Sequence, residues 1–246
     1  MSDKKTVLIT GCSRGIGLEI AKSSLKKGWR VVGTARKSEF PKEISSSENF
    51  RGAHVDLGSV DEMREIIKPL LEEEVPDVLV NNAGIFTDAG MEDSDEKWLD
   101  VWNRTMNVNL LSSSLLAKWF LQQNVEAGRG GIIINVSSRA AYRGDTQEYA
   151  AYAASKAGMV AFTKSIARDY SRKGIMAYSI APGFIETDMA SDAVELLGKE
   201  HLLKGSAFDE ITQPNEVAEM VTFLAEGTLP HASGQTFHIN GGSYFV

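Results

Sequence analysis

Seven short apolar, β-rich runs recur along the chain, at residues 6–10, 30–34, 53–56, 77–81, 131–137, 175–181 and 235–240. Stretches of helical character separate most of them, at 15–27, 59–74, 94–126, 149–173 and 215–226, the long one over 94–126 reading as bent. Strands joined through helices run parallel, and a parallel sheet covered on both faces needs strands that are apolar without alternation. Runs such as Val7-Leu-Ile9 and Ile132-Ile-Ile134 have that character. The pattern predicts an α/β fold: one doubly wound parallel sheet of about seven strands, right-handed crossovers, and helices on both faces. No linker, low-complexity tract or charge block divides the 246 residues, so a single domain over 1–246 is expected. The Ser-rich stretch 44–49 reads as a polar surface loop. Residues 184–209 are long for a connection and read as a lid over a site.

The first strand ends in Thr10-Gly-Cys-Ser-Arg-Gly-Ile-Gly17, and the first helix opens inside that loop. Glycines there let the backbone turn sharply and approach a pyrophosphate, while the helix N-terminus offers free N–H groups and a positive dipole. The spacing, three residues and then one between glycines, differs from the commoner dinucleotide fingerprint, but the physics is the same. Gly11, Ser13, Arg14, Gly15, Ile16 and Gly17 are the candidate cofactor-binding residues of a Rossmann-type domain. Glycines also end strands and pack helices, and that reading stands beside the first. The second strand ends Gly33-Thr-Ala-Arg36, without the carboxylate that binds a ribose 2′-hydroxyl. Arg36, with Arg14, is placed to meet a 2′-phosphate, since a guanidinium matches phosphate through two parallel hydrogen bonds. NADP(H) is therefore expected over NAD(H); two solvated surface arginines are the alternative. Asp56, ending the third strand, caps either the adenine amino group or the next helix.

Tyr152 and Lys156 stand four apart on a predicted helix and share one face. A free phenol titrates near ~10 and is a poor base at neutrality. A nearby ammonium stabilises the phenolate and lowers that value, so the pair can serve as acid for carbonyl reduction and base for alcohol oxidation. Tyr149 competes, but its partner four residues on is Ala153. Ser138, at the end of Asn135-Val-Ser-Ser138, lies where parallel strands face the ligand crevice and can polarise a carbonyl oxygen. Ser137 is the second candidate, and both serines also suit a turn.

Composition narrows the classes. With 43% hydrophobic and 24% charged residues the chain reads as soluble and globular, not disordered, collagenous or coiled-coil. A net charge of −7 leaves no basic surplus for a nucleic acid or an anionic membrane. The single cysteine, Cys12, makes no internal disulfide and fits a reducing compartment. Four scattered histidines and one cysteine offer no metal site. The apolar run near the N-terminus is too short for a signal peptide or a membrane span, so a cytoplasmic protein is expected.

Taken in order, these motifs resemble the short-chain dehydrogenases/reductases over nearly the whole chain. The likeness rests on Thr10-Gly-x-x-x-Gly-x-Gly17, Asn81-Asn-Ala-Gly84, Asn107-Val-Asn109, Ser138, Tyr152-x-x-x-Lys156 and Pro182-Gly183. The resemblance implies Tyr152 as proton donor or acceptor and Ser138 as the group that holds the substrate oxygen. It implies that Lys156 lowers the Tyr152 pKa and binds the nicotinamide ribose, and that Asn109 positions a water linking Lys156 to solvent. Asn82, Ala83 and Gly84 would run along the cofactor. Pro182, Gly183, Ile185 and Thr187 would border the nicotinamide, and Arg14 and Arg36 would carry the NADP(H) preference. The spacing from Ser138 to Tyr152 is one residue longer than in many members, within 139–148.

Pro182-Gly-Phe-Ile-Glu-Thr-Asp-Met189 and His238-Ile-Asn-Gly-Gly-Ser-Tyr-Phe-Val246 are similar to the 3-oxoacyl-acyl-carrier-protein reductases within that family. This implies a 3-oxoacyl thioester as substrate and an acyl carrier protein as partner, with Arg129 and Lys173 near the positions that dock it. The negative net charge gives no general attraction to an acidic partner. Another secondary alcohol, sugar or ketone is the alternative substrate, and a non-catalytic dinucleotide sensor is the alternative from outside enzymology. The family habit also implies a homotetramer, with residues 110–121 and 244–246 as interface or as core.

Overall fold

A computed structural model of the chain describes residues 4–187, 203 and 205–246. Seven strands form one sheet: β1 (Thr6–Ile9), β2 (Arg30–Ala35), β3 (Phe50–His54), β4 (Val78–Asn81), β5 (Gly131–Val136), β6 (Ile175–Pro182) and β7 (Thr236–Ile239). Their order is β3-β2-β1-β4-β5-β6-β7, and every neighbouring pair is parallel. The order reverses between β1 and β4, which opens a crevice beyond the carboxyl ends of those two strands.

The strand sequences explain the two cores. Val7 and Ile9 of β1 face one side with Val78, Val80, Ile132, Ile134 and Ile180. Leu8 faces the other side with Val32, Leu79, Ile133 and Ala177. A period of two sends successive apolar residues to opposite faces, so a strand buried twice reads as unbroken hydrophobe. The first face is closed by α1 (Gly15–Lys26) and α9 (Pro214–Ala225), which pack on each other. The second face is closed by α6 (Ser112–Glu126), α8 (Ala150–Tyr170) and a helical stretch made of α3 (Val60–Glu62), a π segment (Met63–Ile67) and α4 (Lys68–Glu74).

Two sequence expectations change, and two segments gain detail. The third strand is Phe50–His54, not 53–56. It is an edge strand with exposed Arg51 and Gly52, Arg51 ion-paired to Glu73 and Glu74, so it lacks the apolar signature of its neighbours. The stretch 44–49 is not wholly a surface loop, because Ile44 belongs to the short helix α2 (Lys42–Ser45) and is fully buried in the first core. The segment 139–148 carries a helical turn, α7 (Ala140–Arg143). The long helix 94–126 is α5 (Asp95–Met106) running into α6 through a π segment, Asn107–Leu111. Of the expected lid, 188–202 and 204 lie outside the described residues. Among the described residues no helix is long and apolar enough to cross a membrane, and no cluster of metal-ligating side chains occurs.

Candidate active site

The glycine loop is tied to β4 across the switch point. The Thr10 hydroxyl accepts the N–H groups of Asn82 and Ala83, each at 3.0 Å. In return Asn82 Nδ2 donates to the Thr10 and Gly11 carbonyls at 2.9 and 3.1 Å. Gly11 takes a positive φ of 69° to make the turn. A Cβ on Gly17 would stand 2.1 Å from the Gly11 carbonyl oxygen and 2.6 Å from Asn82 Nδ2, so only glycine lets the helix start this close to the loop. Arg14 caps α1 without a side-chain bond to the helix, and no acidic residue sits in the first turn. A helix N-terminus kept free of its own caps suits an anion. This is the observation by which the chain fits a dinucleotide pyrophosphate. Thr187 lies over the loop, its Cγ2 3.2 Å from where a Cβ on Gly15 would be. Ser13 and Ile16 are half-buried there, Ile16 against the first core.

At the end of β2, Arg36 is exposed and followed by exposed Lys37, a second cation the sequence reading passed over although it adjoins the first. Asp56 is held from two sides. Arg104 Nη2 meets its oxygens at 2.9 and 2.8 Å, and the Gly58 N–H donates at 2.8 Å. Burial pushes this carboxyl up, but Arg104, the Gly58 N–H and the charge of Arg36 outweigh that and leave it below the usual range. The cap of the following helix is Ser59, whose hydroxyl accepts the Glu62 N–H, so Asp56 does not have that role.

Tyr152 and Lys156 lie in the first two turns of α8, on the face toward β5 and β4. The Ser138 hydroxyl faces the Tyr152 phenol and favours its ionised form, and it accepts the Ala140 N–H at 3.1 Å. Ser137 is differently engaged, its hydroxyl donating to the Lys156 carbonyl at 2.9 Å. Lys156 Nζ donates to the Val136 carbonyl at 2.9 Å and stands 5.7 Å from the Tyr152 ring centre. Burial pushes the phenol up, against the pull of Ser138. It pushes Lys156 down to about 8. The expected lowering of the phenol by its lysine is therefore not what this structure has: desolvation penalises both charged forms and dominates. Phe86 stacks on Tyr149 at 3.9 Å and meets Tyr152 edge-on at 4.8 Å, so Tyr149 forms a wall beside the phenol.

Asn109 sits inside the π segment and is fully buried. Its Oδ1 accepts the Ile85 N–H at 2.8 Å, and its Nδ2 donates to the Ile85 carbonyl and to Ser155 at 3.0 and 3.1 Å. Ser155, which the sequence reading missed, joins Asn109 to the helix of Tyr152 and Lys156. Gly84 leaves room between them: a Cβ there would be 3.3 Å from both Asn109 Oδ1 and Lys156 Nζ. Pro182 ends β6, Gly183 abuts Asn240, and Ile185 is buried in the first core. Ala83 packs against the second core.

Arg129 and Lys173 are far from this cluster within the chain. Each lies two residues before a strand, β5 or β6, whereas Ser138 follows β5, and the strand between spans about 20 Å. Arg129 is ion-paired with Asp77 at 2.6 Å, and Lys173 lies over the Tyr170 ring. Of residues 110–121, Leu116, Ala117, Trp119, Phe120 and Leu121 are core, while Leu111 and the terminal Phe245 and Val246 are exposed.

Comparison with known proteins agrees with this geometry. The short chain dehydrogenase family model matches residues 5–196. The 3-oxoacyl-acyl-carrier-protein reductase of Vibrio harveyi is 36% identical over 246 residues, covering 98% of both chains. That of Escherichia coli (strain K12) is 35% identical over 247 residues, with the same coverage. Among solved structures, an actinorhodin polyketide ketoreductase variant with NADPH is 32% identical, with a TM-score of 0.88 over 99% of this chain and 98% of that one. A 4-hydroxyisoleucine dehydrogenase complexed with NADH has a TM-score of 0.89 over 98% of each chain at 23% identity, a likeness of fold alone.

Proposed function

The chain belongs to the short chain dehydrogenase family, and from that premise we propose that it is an NADPH-dependent reductase of a 3-oxoacyl thioester, yielding the 3-hydroxyacyl product. It is an oxidoreductase of carbonyl and CH–OH groups, similar over its full length to 3-oxoacyl-acyl-carrier-protein reductases. The observation that carries the reading is the Tyr152 phenol, faced by Ser138 and backed by Lys156, at the carboxyl edge of a sheet whose glycine loop is shaped for a dinucleotide.

When bound, NADPH supplies the hydride. The chain supplies the proton and the orientation. Tyr152 gives its phenolic proton to the substrate oxygen, and Ser138 donates a hydrogen bond to the same oxygen as negative charge grows there. Burial keeps the phenol protonated at neutral pH, the state a reductase needs in its resting form. Lys156 holds positive charge beside the phenol and would meet the ribose, and Asn109 would position a water that links Lys156 to solvent. Arg14 and Arg36 would hold the 2′-phosphate and Asp56 would border the adenine. Asn82, Ala83, Gly84, Pro182, Gly183, Ile185 and Thr187 would line the cofactor. The single domain 1–246 carries both the cofactor site and the catalytic residues.

An acyl carrier protein delivers the substrate, and the enzyme works as a cytoplasmic homotetramer. Because Arg129 and Lys173 are remote from the site of their own chain, any docking through them serves a neighbouring subunit.

The test is NADPH oxidation with a short 3-oxoacyl thioester beside neutral ketones and sugars. Thioester turnover well above the panel is expected. Tyr152→Phe should remove at least about a hundredfold of kcat while NADPH binding, read by nucleotide fluorescence, stays within about twofold. Activity confined to another ketone would discard the substrate and keep the chemistry.

A further inference from the structure

Arg139 follows Ser138 directly, and its side chain is buried to 8% exposure. Its Nη1 donates to the Ser243 hydroxyl. Its guanidinium lies over the Phe184 ring, 4.5 Å from the centre. Its backbone N–H donates to the Pro182 carbonyl at 2.9 Å. One residue thus touches three segments: the exit of β5, the exit of β6 and the C-terminal turn.

That turn is well braced. The Ser243 hydroxyl donates to the Asn240 carbonyl at 2.7 Å, Asn240 Nδ2 donates to the Tyr244 carbonyl at 2.8 Å, and the Gly242 N–H donates to Asn240 Oδ1 at 3.0 Å. Gly183 abuts it so closely that a Cβ would stand 2.8 Å from Asn240 Cα. Neither Arg139, Phe184 nor Ser243 belongs to either apolar core.

Among the described residues no carboxylate pairs with this guanidinium; nearby Asp145 stands 3.8 Å from Arg143 instead. A buried charge without a counter-ion is unfavourable, and an apolar side chain of similar volume is commonly at least as stable in such a place. A stability role alone therefore does not account for an arginine here. What arginine offers over methionine or lysine is a rigid planar fork that stacks on an aromatic face while donating in a fixed direction.

We propose that Arg139 is a positioning residue for the reaction: by tying the segment after β5 to Phe184 and to Ser243, it holds the Ser138 hydroxyl on the Tyr152 phenol. The proposal rests on the reading of Ser138 and Tyr152 given above. It also makes the C-terminal turn part of the catalytic support, although that turn contributes no reacting group.

The experiment is a double-mutant cycle on the full-length enzyme. Arg139→Met, Ser138→Ala and the double variant are compared for kcat and KM, with folding checked by circular dichroism and thermal melting. Arg139→Met is expected to lower kcat by about tenfold or more with KM within about twofold, because misplacement near the reacting atoms weakens orientation rather than binding. In the Ser138→Ala background the same change is expected to lower kcat by less than about twofold, because the group it positions is gone. Arg139→Lys and Ser243→Ala should fall between wild type and Arg139→Met. Equal losses with and without Ser138, or a raised KM at unchanged kcat, would overturn the proposal. If Arg139→Met does not fold, the cycle of Ser243→Ala with Ser138→Ala reads the same coupling. A wild-type enzyme inactive on every ketone would overturn the proposed function and this inference together, whereas an active wild type with an additive cycle overturns this inference alone.

Discussion

Two groups one helical turn apart in the site are displaced in opposite directions by one cause. Burial penalises the charged form of each, so the Tyr152 phenol goes up and the Lys156 ammonium comes down to about 8. The lysine shift has a consequence for stability. Between about 8 and 10.5 the unfolded chain binds a proton at Lys156 that the native state does not, so stability from this group rises with pH across that window. Below about 8 the unfavourable burial is fully present; above 10.5 it is gone. Lys156→Met should therefore melt higher than wild type near neutral pH without nucleotide, by about 5 °C, and the gain should shrink as pH climbs toward 10.5. A melting difference that stays flat with pH would contradict this. Arg36 gives a second prediction at this scale. Arg36→Asp exchanges a phosphate partner for a carboxylate that accepts a ribose hydroxyl. The ratio of kcat/KM for NADPH over NADH should fall by about a hundredfold or more, measured with one ketone at fixed ionic strength. An unchanged ratio would assign the preference to other residues.

Elements matter here chiefly where they depart from regularity. The π segment Asn107–Leu111 adds a residue to the helical turn and is the place from which Asn109 reaches Ile85 and Ser155. Single π turns inside α-helices commonly occur at functional sites. Asn109→Ala would leave the Ile85 N–H, the Ile85 carbonyl and the Ser155 hydroxyl each short of a partner in a buried place. The expected loss is about 2 kcal/mol or more, seen as a melting temperature lower by about 5 °C, with kcat falling as well. A variant as stable as wild type would mean those groups find other partners. The sequence 94–126 reads as one helix because every residue in it tolerates helical backbone. The side chain of Asn109 in the π segment bonds residues 24 and 46 positions away, contacts that local spacing does not reveal. The sequence misplaces the edge strand β3 for a related reason: its own residues Arg51 and Gly52 are polar or small, and only pairing to β2 reveals the strand.

For the molecule as a whole, the parallel sheet puts every strand exit at one edge, and the candidate site gathers residues from the exits of β1, β4, β5 and β6 there. The exposed Leu111, Phe223, Phe245 and Val246 leave apolar surface on the single chain. In the homotetramer proposed above, part of that surface is covered. Light scattering is expected to give four times the 26.8 kDa chain mass, and a monomeric mass would refute the proposal.

What the sequence by itself determined was the alternation of strands and helices, hence the parallel doubly wound sheet, and the residue types gathered at its carboxyl edge. Those follow from local rules: strand periodicity, glycine conformations, and the i, i+4 spacing that puts Tyr152 and Lys156 on one face. What the second serine does was decided only by the tertiary structure, which turns Ser137 to the Lys156 carbonyl. So were the identity of the helix cap as Ser59, the burial of Ile44, and the clamp of Arg139 on Phe184 and Ser243. The direction of the Tyr152 shift belongs with them, because it depends on how much water the packed chain excludes. Each of these rests on contacts between segments distant in the chain or on burial, and neither is written in local spacing.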